Sequence, residues 1–277
     1  AGVSLHPRTI RIPRIPAKPT WEIFESTGEV RELAKDGNHL PLGYMEQTAE
    51  IYGIDLRRTY TWLVQGWNKI ERRNVLQLLA KSAALRGGLV TVVEPEETQW
   101  RGFAQSEGFE YLSGFEAFNE FFEKTFIPDF VSRNKVKQEC LKKDYTEEEI
   151  YRRMAQEPAR YLVITDLCQF AKMLHTDDRR VAEGRMKNLF EKGFLHNIYA
   201  IAGMNPDDRK DILDSTVFKA FTARREGIHL GGRINDQRIF EFPTMPFSEK
   251  TAPEKPGHGV TAPTETEDWH RIVLPIA

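Results

Sequence analysis

Nearly continuous apolar segments alternate with amphipathic ones along most of the chain. Four apolar segments are rich in β-branched or aromatic residues, which is typical of strands buried on both faces. They cover residues 61–66, 88–94, 161–166 and 196–204. Segments with a helical period separate them, covering 74–85, 115–160, 168–174 and 178–192. Because strands alternate with helices, the sequence predicts an α/β domain with a mostly parallel sheet covered by helices on both faces.

Shorter patterns predict additional elements around this sheet. Residues 40–56 read as two short strands around a turn, and 269–276 closes the chain with apolar positions. The segments 217–224 and 237–242 are also predicted to be strands. Residues 248–268 are rich in Pro, Thr and charge, which favours a surface loop.

The N-terminal segment has a different composition from the rest. Prolines at 7, 13, 16 and 19 remove backbone donors and push the preceding residues toward extended conformations. The charged side chains between them are all basic. We therefore expect residues 1–34 to form a Pro-rich basic arm or interdomain linker, and residues 35–277 to form a single domain.

Composition excludes several functional classes. The net charge of −2 gives no basic field for nucleic acid, so no nucleic-acid partner is expected. The two cysteines lie in no CxxC or Cys/His cluster, which argues against a disulfide framework or a thiolate zinc site. The seven histidines are scattered without a ligand spacing, so no metal site is expected.

The segment "GWNKIERRN" lies between a predicted strand and a predicted helix, where nucleotide-binding proteins keep their phosphate loop. On the GxxxxGK[ST] pattern, Gly66 is the first glycine and Glu71 falls at the second. Arg72 takes the lysine position, and Arg73 takes the position of the hydroxyl that holds Mg²⁺. Lys69 adds a third cation. These substitutions allow attraction of an anion but not an ordered Mg-ATP.

The strand that ends at Asp166 resembles the second nucleotide motif, in which an Asp belongs to the magnesium shell. The glutamate that usually follows and orients water is replaced by Leu167. With both motifs altered, the sequence favours neither a catalytic residue nor a required cofactor. At most weak ATP/Mg binding is expected, at a vestigial site of Gly66, Lys69, Arg72, Arg73 and Asp166.

Phenylalanines recur with helical spacing in "FEAFNEFFEKTFIPDF". Phe115, Phe118, Phe122 and Phe126 share one face of a helix. The simpler interpretation is that this face belongs to the domain core. The functional interpretation is a groove in which these four aromatic residues bind an amphipathic helix of a partner.

Three segments together resemble a known family. The strand–loop–helix at 60–86, the "RYLVITDL" strand, and the segment "GIHLGGRINDQRIFEFPTMPFSEKTAPEKPGHG" at 227–259 are similar to FtsK/SpoIIIE-type ATPase domains of the EssC family. These are type VII secretion coupling proteins. The pattern is most similar to the third, degenerate domain of the Gram-positive (type VIIb) form.

The resemblance implies a RecA-like (P-loop NTPase-type) fold at the cytoplasmic end of a membrane-anchored motor. Implied partners are the upstream ATPase domains, secreted WXG100-type helical hairpins, and other secretion components. The implied function is substrate recognition and regulation of the upstream ATPases without hydrolysis. Two alternatives remain open: a divergent but active ATPase in which Arg72 replaces the lysine, and a DNA-translocase accessory module.

Overall fold

The computed structural model describes residues 14–96, 99–265 and 267–277. Within them, ten strands form one sheet in the order β2-β1-β10-β9-β8-β3-β7-β6-β4-β5. The strands are β1 (His39–Met45), β2 (Ile51–Asp55), β3 (Thr61–Gly66), β4 (Leu89–Glu94), β5 (Glu110–Ser113), β6 (Arg160–Ile164), β7 (Ile198–Met204), β8 (Gly227–Leu230), β9 (His258–Thr261) and β10 (Arg271–Val273).

The sheet has a parallel part and an antiparallel part. From β8 to β5 every neighbouring pair is parallel. From β8 to β2 every pair is antiparallel. The predicted α/β class is confirmed, and so are the four strands proposed for the parallel part. In this order β7 lies between β3 and β6, the strands that carry the two altered nucleotide motifs.

Helices cover both faces of the sheet, as predicted. The α-helices of the described residues are α1 (Trp21–Ser26), α2 (Gly28–Lys35), α3 (Lys69–Leu85), α4 (Trp100–Ser106), α5 (Gly114–Phe121), α6 (Ile127–Lys142), α7 (Glu147–Met154), α8 (Leu167–Leu174), α9 (Arg180–Lys192), α10 (Thr216–Thr222) and α11 (Phe247–Thr251). Alternating side chains of β3 point to opposite cores. Leu63 packs with α5, α8, α9 and α10, whereas Trp62 and Val64 pack with α1 to α4.

The helical stretch predicted over 115–160 is interrupted. A π-helical turn at Phe122–Phe126 joins α5 to α6, and Pro128 lies in the first turn of α6. Proline has no N–H to continue the regular ladder, which accounts for the irregular turn. A capping box at Thr146 and Glu149 then starts α7 as a separate helix.

The phenylalanine face belongs to the core. Phe118, Phe122 and Phe126 are at most 1% exposed, and their rings stack in succession. Phe118 also packs edge-on against Phe170 of α8. The domain itself buries these three side chains, which agrees with the simpler interpretation and leaves them no exposed face for a partner; the partner-binding role stays a prediction. Phe115 is partly buried against the same core, under the Arg179 guanidinium.

The end of the N-terminal segment is helical rather than extended. In α1, Trp21 and Phe24 are buried, and the chain entering α1 pairs with the last residues of the protein. The Trp21 amide donates to the Ile276 carbonyl at 2.7 Å, and the Ile276 amide donates to the Pro19 carbonyl at 2.9 Å. Residues 1–13 lie outside the described residues. The division into a linker and one domain therefore stays a prediction.

Several minor elements differ from expectation. Residues 216–222 form α10, started by the Ser215 side chain, instead of a strand. Residues 237–242 contain no strand; there the Gln237 side chain bonds the backbone of Ile239 and Phe240. The sheet instead uses β8 and β9, and β9 lies inside the segment predicted to be a loop. Both strands have four residues and form only because neighbouring strands pair with them.

Candidate functional site

The turn between β3 and α3 contains two residues, Trp67 and Asn68. The helix begins at Lys69, five residues before its predicted start. Asn68 is its N-cap, and its side-chain oxygen accepts from the Ile70 amide at 2.8 Å and the Glu71 amide at 3.4 Å. A phosphate loop needs free amides at this position. Here the side chain of Asn68 already binds them.

Gly66 has a packing role in the sheet. A Cβ atom at this position would lie 2.8 Å from both the Cβ and the carbonyl oxygen of Leu230 on β8. The glycine thus permits close contact of two strands. It does not supply the open, inward-turning loop that a nucleotide would need.

The three basic residues predicted for the site have different environments. Arg72 turns back and donates to the carbonyl oxygens of Gly66 at 2.5 Å and Trp67 at 3.0 Å. Arg73 donates to the Gln99 side chain at 2.7 Å and to its carbonyl at 3.0 Å. Lys69 is exposed at the first turn of α3. Two of the three cations are therefore bound to the protein itself.

Asp166 lies at the same edge of the sheet and caps α8. Its carboxylate accepts from the Gln169 amide at 2.9 Å. Burial lowers the pKa of Arg72, while Asp166 and Asp208 oppose this shift. Burial raises the pKa of Asp208, and the charge of Asp166 adds to that increase. The positive charge of Arg72 thus offsets the charges of Asp166 and Asp208, while its guanidinium donates to two backbone carbonyls.

These residues surround a cleft of about 220 Å³. Its lining residues are Lys69, Arg72, Arg73, Leu76, Glu94, Pro95, Glu96, Gln99, Trp100, Thr165, Asp166 and Gln169. Three basic and three acidic side chains are among them. Such a lining suits a small polar or zwitterionic group better than a triphosphate. Among the described residues, no group of three or more His, Cys, Asp or Glu side chains could hold a metal ion.

The sequence did not single out Trp67, which covers the end of β8. Its ring lies on Gly232, where a Cβ would be 2.4 Å from a ring carbon, and Gly232 has a φ of +59°. The ring packs edge-on against His229 with centroids 5.5 Å apart, and its Nε1 donates to Asp207 at 3.3 Å. The Gly231–Gly232 pair was the available signal for this contact.

The structure brings together the five residues predicted for the vestigial site: Gly66, Lys69, Arg72, Arg73 and Asp166 all lie at the carboxyl edge of β3 and β6. The four phenylalanines lie elsewhere, three of them in the core. In the part of the chain that the structure describes, no helix is long and apolar enough to cross a bilayer.

Comparison with known proteins shows a similarity of fold and not of sequence. No protein-family model matches the sequence. No curated protein matches it either.

Solved structures match over almost the whole chain. The cytoplasmic domain of EssC is 17% identical with a TM-score of 0.77, over 96% of this chain and 48% of that one. EssC (ATPases 2 and 3) from Geobacillus thermodenitrificans is 17% identical with a TM-score of 0.72, over 96% and 46%. Thermomonospora curvata EccC (ATPases 2 and 3), in complex with a signal sequence peptide, is 12% identical with a TM-score of 0.58, over 95% and 44%.

This chain spans about half the length of the EssC structures that it matches. At these identities the similarity is one of fold, and it agrees with the mostly parallel sheet described above. The chain therefore has the RecA-like α/β fold of the ATPase domains of EssC and EccC.

Proposed function

We propose that this chain is a non-hydrolysing, ATPase-like domain of a type VII secretion motor. It acts by binding substrates or partner domains and by influencing active ATPase domains in the same protein. Its place in such a protein would be the third, C-terminal ATPase position, with the Pro-rich segment before α1 as the connection to the preceding domain.

The observation that carries this proposal is the two-residue β3–α3 turn. The Asn68 side chain binds the free amides of α3, and Arg72 binds the carbonyls of Gly66 and Trp67. A nucleotide would have to break these contacts before its phosphates could reach the helix N-terminus. It would find no hydroxyl at Arg73 for Mg²⁺ and no carboxylate at Leu167 to orient water.

The matched structures support the proposed partners. The EssC and EccC structures contain two ATPase domains, and this chain covers somewhat less than half of each. The EccC structure also holds a signal sequence peptide. By analogy, the partners of this chain are the upstream ATPase domains, secreted WXG100-type hairpins and other secretion components. Its location would be the cytoplasmic side of the membrane.

Calorimetric titration with Mg-ATP tests the proposal, together with phosphate release by the same preparation. We expect no saturable heat below about 1 mM ATP. We also expect the same phosphate release from the native chain and from Asp166→Ala. Micromolar, magnesium-dependent binding would overturn the proposal.

The second candidate is a divergent, active ATPase. It is favoured by the position of Lys69, Arg72, Arg73 and Asp166 around one cleft. In that case Arg72→Ala and Asp166→Ala should each abolish measurable turnover. Arg73→Ala, whose guanidinium is bound to Gln99, should reduce it less. Under the proposed function there is no turnover for any of the three to reduce.

A further inference from the structure

Residues 275–277 lie between two parts of the domain that are distant in sequence. We call this short segment the 275–277 strap. On one side it pairs with the chain that leads into α1, through a parallel bridge between Thr20 and Ile276. We call residues 19–21 the entry segment. On its other side the strap meets the first half of α3, the helix that follows the altered phosphate loop.

Asn74 makes the contact from α3 through its side-chain amide. Its Nδ2 donates to the Pro275 carbonyl at 2.8 Å, and its Oδ1 accepts from the Ala277 amide at 2.8 Å. Along an extended segment, the backbone groups of successive residues point to opposite sides. The side chain of Asn74 therefore binds one edge of the strap in the way that a neighbouring strand would.

The opposite edge of the strap binds the entry segment. Both backbone groups of Ile276 face this segment, through the hydrogen bonds with Trp21 and Pro19 given above. The Ile276 side chain is 62% exposed, so this residue is held by its backbone and not by burial. The strap is thus hydrogen-bonded along both edges, like the middle strand of a small sheet.

The contact on α3 lies beside the cleft at the end of β3. Asn74 directly follows Arg72 and Arg73, which both line that cleft. The three residues lie within one turn of a regular helix. A shift of this turn therefore moves the two cleft cations and the strap contact together.

The entry segment also contacts α3 directly, further along the helix. Trp21 is 7% exposed and belongs to the same apolar cluster as Leu78. The Lys81 ammonium lies over its ring, 5.8 Å from the centroid. This contact fixes the second half of α3, about two turns after Asn74. The strap adds a connection to the half of the helix that carries the cleft residues.

We propose that the 275–277 strap couples the entry segment to α3, so that movement of the entry segment changes the cleft at the end of β3. Coupling between two sites is reciprocal, so a change in the cleft also loosens the entry segment. Through the strap, a domain that hydrolyses no ATP still responds to movement of the chain before it. The inference goes beyond the proposed function, which adds only that this chain comes from a preceding ATPase domain.

Hydrogen–deuterium exchange of the whole chain, followed by mass spectrometry, tests the coupling without any nucleotide. Asn74→Ala removes the strap contact from α3, and Arg72→Ala changes the cleft. Gln77→Ala is the matched control, because Gln77 also carries an amide on α3 but forms no side-chain hydrogen bond with a described residue. Labelling times are kept short enough that the central strand β7 stays unexchanged in every variant, so that only local opening is recorded.

We expect Asn74→Ala to raise exchange about tenfold in residues 19–24 and about threefold in residues 66–73, beyond its effect on the strap. Arg72→Ala should raise exchange in residues 19–24 and 274–277 by about threefold. Gln77→Ala should leave all of these segments at the native rate.

Two outcomes would overturn the proposal. An increase confined to residues 274–277 in Asn74→Ala would show that the strap only fastens this part of the chain. Native exchange of residues 19–24 in Arg72→Ala would show that the cleft and the entry segment are not coupled. Neither result depends on nucleotide affinity, so the calorimetric test of the proposed function stays separate.

Discussion

The cleft at the end of β3 and the surface depression beside α10 both carry several basic side chains, but the partners of those side chains differ. In the cleft, Arg72 binds two backbone carbonyls and Arg73 binds Gln99. Beside α10, Arg225 pairs with Glu241 and Arg238 donates to the Asn235 carbonyl, whereas Arg209 and Lys219 form no ion pair with a described residue. The comparison teaches that a basic cluster indicates a binding site only where its charges are not already bound by the protein. Substitution of Arg72 in the cleft should therefore change stability more than substitution of Lys219 beside α10.

Acidification should cause the largest loss in the free energy of unfolding. It acts on His229, which packs against Trp67 at the end of β3. Burial of His229 beneath Trp67 lowers the pKa of its imidazole from 6.5 to about 4. The folded state then binds fewer protons than the unfolded state between these values. The contribution of His229 to the free energy of unfolding is fully present above about pH 6.5, the pKa of this residue in the unfolded state. It is lost as the pH falls from about 6.5 to about 4. The expected loss from this residue is about 3 kcal/mol.

Urea denaturation at several pH values measures the slope of the free energy of unfolding against pH between about 4 and 6.5. His229→Gln should flatten it whatever the absolute stability of the variant. His196→Gln should flatten it similarly, since burial also lowers the pKa of His196 to about 4. No histidine lines the depression beside α10. If His229→Gln kept the native slope, the packing described around Trp67 would be incorrect.

Gly66→Ala should give the next largest effect, a loss of about 2–3 kcal/mol in the free energy of unfolding. The added methyl would meet the Leu230 backbone, which cannot move without disturbing β8. Gly102→Ala in α4 is the matched control, because a Cβ there meets open space and favours the helix. Equal stability of the two variants would contradict a packing role for Gly66.

Arg72→Ala should destabilise the protein by about 1.5–2 kcal/mol, because two carbonyls lose a charged donor. Arg73→Ala should cost less than about 1 kcal/mol, since its partner Gln99 lies at the surface. Thermal or urea unfolding measures both. A larger loss for Arg73→Ala than for Arg72→Ala would contradict the assignment of Arg72 as the more strongly bound of the two arginines.

Lys219→Ala should have the smallest effect on stability, within about 0.5 kcal/mol of the native protein. Its ammonium forms no ion pair with a described residue, so the fold loses little without it. The same unfolding experiment provides the measurement. A loss comparable to that of Arg72→Ala would show that Lys219, like Arg72, has a stabilising partner within the fold.

Much of the parallel sheet could be predicted from the sequence, because its strands are nearly continuous apolar runs. The altered phosphate loop was also visible, since Glu71, Arg72 and Arg73 replace residues that the chemistry requires. The start of α3 was placed too late, although an asparagine directly before a helix is a common N-cap. The aromatic face of α5 was correctly seen as amphipathic, but its spacing alone could not separate core from groove.

The sequence by itself determined the α/β class, four of the six strands of the parallel part, and the five residues gathered at the carboxyl edge of β3 and β6. This follows from local periodicity and from the rule that parallel strands end on the same side. Only the tertiary structure decided that 216–222 is a helix, that β8 and β9 are strands, and that Arg72 and Arg73 are bound by other groups of the protein. Those outcomes depend on contacts between residues distant in sequence, such as Leu63 with Gly227 and Gly66 with Leu230, which no local pattern encodes.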